Sequence, residues 1–190
     1  MADEAADQLA RALQQTRNVL ANVSHDQMTA ATPCEKWDVR TLVDHLIGAT
    51  EMFSVLTRGD EWTGGTREDQ YTSGDFVAAF DDAHRALTSA WQDPAVWSRE
   101  IHFPFAVLPA QIGVNVELME IVTHTWDLAR ATGQDDALDD SLAETVLSFA
   151  PMMVPDEVRN ESGDPFKPVV AEASDANPWT RLAGAMGRTP

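Results

Sequence analysis

The sequence predicts an all-α protein, a four-helix bundle with extended connections and extra short C-terminal helices. Three observations predict it. Apolar residues recur at helical spacing over four long stretches. Proline and glycine punctuate the chain between those stretches. No internal repeat or low-complexity tract interrupts the pattern. At 190 residues with 44% hydrophobic residues, the chain is long enough to bury one core and is read as one domain over 1–190.

The first helix is expected over 3–22, where Leu9, Leu13, Val19 and Leu20 share a face among polar neighbours. A connector holding Thr32-Pro33 follows, since a residue before proline is biased away from helix. Asp38 is a suitable N-cap for a second helix over 39–58, with Gly59 at its stop. The polar stretch 59–74 reads as a loop. A third helix is expected over 75–91 and is broken by Asp93-Pro94. Residues 94–109 carry Trp97, Ile101, Phe103 and Phe105 with Pro94, Pro104 and Pro109. They are too apolar for a solvated linker, so an ordered loop or short extended piece packed on the bundle is expected. The fourth helix spans 110–132 and stops at Gly133. Ser141 and Glu144 form a capping-box pattern opening a fifth helix to Val154. Residues 155–190 form an irregular extension with a short helix over 178–187, opened by Asn177-Pro178.

Composition bounds the function. Asp and Glu number 31 against 13 Lys and Arg, a formal charge of −18. Such a surface repels nucleic-acid backbone and anionic membrane, so neither is an expected partner. It also shows no cationic patch for an anionic cosubstrate. The single cysteine, Cys34, excludes an internal disulfide and a cysteine-based metal cluster within one chain. The acidic N-terminus lacks an apolar segment and no stretch of 18 apolar residues exists, so a cytoplasmic protein, monomer or homodimer, is expected.

The fourth helix is apolar over most of its circumference, yet Glu117, Glu120, His124 and Asp127 line one face at spacings of three and four. Ionisable groups are rarely buried without partners. Glu120 and His124 at i, i+4 can present two metal ligands, and His45, among apolar positions of the second helix, can supply a third. Two imidazoles and a carboxylate suit Zn2+, and also Ni2+ or Fe2+, with coordination positions left open. The same residues are open to a plainer reading, as hydrogen-bonded histidines and a chance pair. Asp127 either orients an imidazole or metal-bound water, or pairs with Arg130. Glu117 is read first as a solvated residue, with a fourth ligand and a proton acceptor as alternatives. His102, and less so His84, are placed facing the pocket, and His25 outside it. Trp37 reads as a packing anchor and Cys34 as structural. Phe103, Phe105, Met52 and Trp62 are candidates for an apolar wall, with core packing the other reading for each.

Two motif blocks carry a resemblance. Thr32-Pro33-Cys34-Glu35-Lys36-Trp37-Asp38-Val39-Arg40 with Leu42-Val43-Asp44-His45-Leu46 is similar to the opening of DinB-like proteins, within them the mycothiol-dependent maleylpyruvate isomerase group and its short single-domain branch. The run from Glu120 through His124, Trp126 and Asp127 to Gly133 resembles that group's second motif, and Arg181-Leu182 with Met186-Gly187-Arg188 resembles endings of the short branch. The resemblance implies a DinB-like four-helix bundle with a divalent metal, zinc first, held by His45, Glu120 and His124. It implies a low-molecular-weight thiol such as mycothiol as cosubstrate and a small electrophile as substrate. Group members carry a further C-terminal domain that contributes to the active site, and residues 156–190 are too few for one. Maleylpyruvate isomerisation itself is therefore not expected, whereas a thiol S-transferase or isomerase-like activity is. A non-enzymatic metal- or ligand-binding module and a thiol-independent metal hydrolase are the alternatives.

Overall fold

The computed structural model describes residues 2–65, 69–160 and 166–189; residues 66–68 of the expected loop and 161–165 of the expected extension lie outside them. The helices are α1 (Ala2–Ala21), α2 (Val39–Thr57), α3 (Phe76–Trp91), α4 (Ala110–Thr132), α5 (Asp140–Met153) and α6 (Pro178–Ala185). α1 packs against α3 and α4, and α2 packs against the same two helices, so four apolar faces meet in one core. Leu13, Leu42, Leu46, Ile47, Phe80, Leu87, Leu118 and Ile121 are at most 1% exposed there. Burying each such side chain contributes on the order of 2 kcal/mol. α5 packs on α4, and α6 packs on both. No helix among the described residues is long and apolar enough to cross a membrane.

The boundary signals act as read. Asp38 caps α2 by accepting from Thr41 N at 2.9 Å. Gly59 and Gly133 stand just past α2 and α4 in the left-handed conformation, at φ +85° and +72°. Asn177 caps α6 through Thr180 N at 2.8 Å. The cap of α5 differs from expectation. Asp139 takes the position, not Ser141, because its carboxylate accepts from both Ser141 N (3.0 Å) and Ser141 Oγ (2.7 Å) while also pairing with Arg11.

The stretch before α4 resolves into a short 3-10 turn (Pro94–Ser98) and an antiparallel hairpin, β1 (Glu100–Phe103) with β2 (Ala106–Pro109). Alternation along β1 turns Ile101 and Phe103 inward and leaves Glu100 and His102 exposed. The hairpin lies so close to α4 that a Cβ at Gly113 would meet Ile101 Cδ1 at 2.8 Å. The loop after α2 is fastened by Asp44, a buried carboxylate that accepts from Tyr71 N (2.9 Å) and Thr72 N (3.0 Å).

Candidate metal centre

The Thr32–Asp38 turn is held by the Trp37 N to Cys34 O hydrogen bond at 2.8 Å, by an Ala31–Asp38 bridge and by the Thr32 hydroxyl. Thr32 Oγ1 accepts from Cys34 N at 3.2 Å and donates to Trp37 O at 2.8 Å. The turn leads directly into α2 and sets Trp37 and Cys34 against one end of the α2–α4 contact. The Trp37 ring lies 4.4 Å from the His45 ring and 5.4 Å from the His124 ring, centre to centre. Trp37 therefore covers both imidazoles, a placement beyond simple packing that the sequence alone does not reveal.

His45 on α2 and Glu120 and His124 on α4 bring one donor atom each within 4.8 Å of one another. His45 Nε2 is 2.6 Å from Glu120 Oε1, and His124 Nε2 is 3.4 Å from the same oxygen. A tetrahedral zinc with ligands at about 2.1 Å needs donors roughly 3.4 Å apart, which is within side-chain adjustment of this arrangement. The donor set, two imidazoles and one carboxylate, is chemically apt for a divalent ion. His45 and Glu120 side chains are 27% and 30% exposed, so the cluster opens to solvent on one side. Burial pushes the Glu120 carboxyl up, but His124 and His45 outweigh it and hold it at about 2, fully ionised.

Asp127 answers the choice left by the sequence. Its Oδ2 lies 2.9 Å from His124 Nδ1, and Arg130 pairs instead with Asp135. The carboxylate is fully buried; burial raises its pKa, but the hydrogen bond from His124 and the nearby Arg188 charge bring it below the ordinary range. With Nδ1 engaged by Asp127, His124 turns Nε2 toward Glu120, an arrangement common around metal-binding histidines. Arg188, from the far end of the chain, completes the carboxylate's contacts with Nε at 3.2 Å and Nη2 at 2.8 Å. In the sequence the ending that carries Arg188 is legible only as a resemblance, and no spacing rule ties it to Asp127.

Glu117 corrects its sequence reading. It is 0% exposed, not solvated. The Thr57 hydroxyl donates to one oxygen at 2.8 Å and the Trp91 indole to the other at 2.7 Å. Burial pushes the carboxyl up to about 8, only partly offset by those two hydrogen bonds. It is not grouped with the three candidate ligands. His102 is corrected as well, since strand alternation turns it to solvent. Phe105 is 68% exposed and stacks on Phe103 rather than lining a wall. Phe103 belongs to the core, and Met52 and Trp62 pack on its edge. His84 sits on α3 against Phe80, and His25 is exposed as expected.

Cys34 lies nearer the cluster than its structural reading implies, with a ligand atom within 4.8 Å of those of His124 and Asp127. Burial pushes its thiol up to about 11, against a smaller downward pull from Arg188. Such a thiol is protonated at neutral pH, and iodoacetamide at pH 8 is expected to alkylate it about 100-fold more slowly than an unhindered cysteine. A rate near that of free cysteine in the folded protein would contradict this. Two of the three cations around the turn are matched by carboxylates, Lys167 by Glu35 and Arg188 by Asp127. Lys36 lies in the turn, Lys167 pairs with Glu35 at 2.5 Å, and Arg188 acts on Cys34.

A family model described as "Mycothiol maleylpyruvate isomerase N-terminal domain" matches residues 9–129, a span holding all three candidate ligands. Two proteins from separate strains of Mycobacterium tuberculosis are each 30% identical over 171 residues, covering 90% of this chain and 90% of their own length. Both are described as uncharacterized proteins. No solved structure matches.

Proposed function

We propose, from the premise that this chain belongs to the family of the mycothiol maleylpyruvate isomerase N-terminal domain, that it is a metal-dependent enzyme acting with a low-molecular-weight thiol on a small electrophile. The observation that carries the reading is the convergence of His45, Glu120 and His124 with one side open to solvent. A divalent ion held there, zinc first and nickel or ferrous iron next, would supply the Lewis acidity that turns a thiol into a thiolate at neutral pH. The protein's own part is to hold two imidazoles and one carboxylate in place. Asp127 fixes which ring nitrogen of His124 faces the cluster, Glu120 supplies the single negative charge of the donor set, and Trp37 shields the imidazoles on one side. The open side admits the thiol and its electrophile. Mycothiol is the thiol that the family's description suggests, and the reaction class is S-transfer or addition–elimination isomerisation.

Cobalt substitution tests this reading. The Cys34→Ser protein loaded with Co2+ is expected to gain a thiolate-to-metal charge-transfer band when mycothiol or a simpler thiol is added; removing Cys34 assigns the band to the added thiol. Cobalt-loaded protein that gains no band would overturn thiol activation and favour a thiol-independent hydrolase or a binding module.

A further inference from the structure

The C-terminal segment meets the candidate metal centre through one residue. Arg188 holds both oxygens of Asp127 and donates from Nη1 to Met186 O at 2.9 Å. Asp127 in turn holds His124, so a continuous chain of contacts runs Arg188–Asp127–His124. The segment is fixed by other contacts too. Gly187, at φ +75°, turns where a Cβ would meet Lys167 O at 2.8 Å, and at Gly184 a Cβ would collide with Val170 O. The largely buried Arg159 guanidinium donates to the carbonyls of Val154, Lys167 and Ala185. Docking the segment thus does not depend on Arg188 alone. A buried ion pair adds little net stability, because desolvation offsets its attraction. What a forked guanidinium adds is direction, since it fixes both carboxylate oxygens at once.

We propose that Arg188 is a positioning residue for the metal, and that the C-terminal segment is a working part of the metal centre rather than an appendage. The proposal rests on the metal reading above. By holding Asp127, Arg188 keeps His124 Nε2 aimed at the position shared with His45 and Glu120. Metal binding and the Arg188–Asp127 contact are then linked, each strengthening the other.

The test compares zinc affinity, by competition with a chromophoric chelator, and the ligand-field spectrum of the cobalt form, using the full chain and its Arg188→Met, Arg188→Lys and Arg159→Met variants. Arg188→Met is expected to weaken zinc binding about 10- to 100-fold and to shift the cobalt bands. Arg188→Lys, which can still hold one oxygen, should recover part of the loss. Arg159→Met loosens the same segment without removing a contact to Asp127 and is expected to cost clearly less affinity than Arg188→Met, about threefold or less. A folded Arg188→Met protein with wild-type affinity overturns the proposal. An equal loss in Arg159→Met also overturns it, assigning the effect to segment docking. Should Arg188→Met not fold, Arg188→Lys decides, and unchanged affinity and spectrum there count against the proposal. Wild-type protein that binds no zinc or cobalt defeats the metal reading itself, a different failure from metal bound equally by wild type and Arg188 variants.

Discussion

Glu120→Gln is expected to weaken divalent-metal binding by at least about 100-fold, more than the loss of a supporting residue, while the helical fold persists. Glu120 is the one anionic donor among the three candidate ligands, and in the metal-free protein His124 and His45 hold its carboxyl below the ordinary range despite burial. Glutamine keeps the size and a carbonyl oxygen but removes the charge that a dication needs in a partly desolvated site. The side chain is 30% exposed, so the substitution leaves no sealed, unpaired group behind. Isothermal titration with zinc measures the first effect and a thermal melt of the metal-free protein the second. Zinc affinity within a few-fold of wild type would remove Glu120 from the ligand set.

Glu117→Gln is expected to flatten the pH dependence of stability. In the folded protein the Glu117 carboxyl keeps its proton up to about pH 8, whereas its ordinary value is 4.5. Between those values the folded state holds one proton more than the unfolded chain. The stabilising contribution is therefore complete below about pH 4.5 and is lost as pH rises through 8. The loss approaches about 1.4 kcal/mol per pH unit within that window. In the variant, the new side-chain carbonyl can still accept from Trp91 and the new amide can face the Thr57 oxygen, with no proton to lose. Urea denaturation of both proteins from pH 5 to 9 is expected to show the variant gaining on wild type as pH rises. Parallel profiles would show that Glu117 titrates normally. Glu117→Ala, by contrast, strands the buried Trp91 indole and is expected to lower stability by about 2–4 kcal/mol at neutral pH.

Local signals are the most legible part of the fold. Helical spacing with Asp38, Gly59, Gly133 and Asn177-Pro178 places the α-helices of the described residues within a few residues at each end, and only the N-cap of α5 differs. The Ser141 pattern misleads because Asp139, two residues earlier, offers a carboxylate in place of a hydroxyl. For His102 the correct signal is present in the sequence. Ile101 and Phe103 flank it at the period of a strand, and that alternation turns it outward. Long-range partners are not legible. The burial of Glu117 depends on Thr57 and Trp91, which lie on two other helices. The Asp127–Arg188 pair joins the fourth helix to the end of the chain across 61 positions. Within the candidate centre, spacing can pair Glu120 with His124, and the family motif adds His45. The α2–α4 contact then brings the three together, with Trp37 above them.

The most direct test of the metal centre is elemental analysis of the purified wild-type protein beside His45→Ala and His124→Ala. About one divalent ion per chain in the wild type, falling several-fold in each variant, is the expected result. Metal content unchanged by either substitution would contradict the assignment of these residues as ligands.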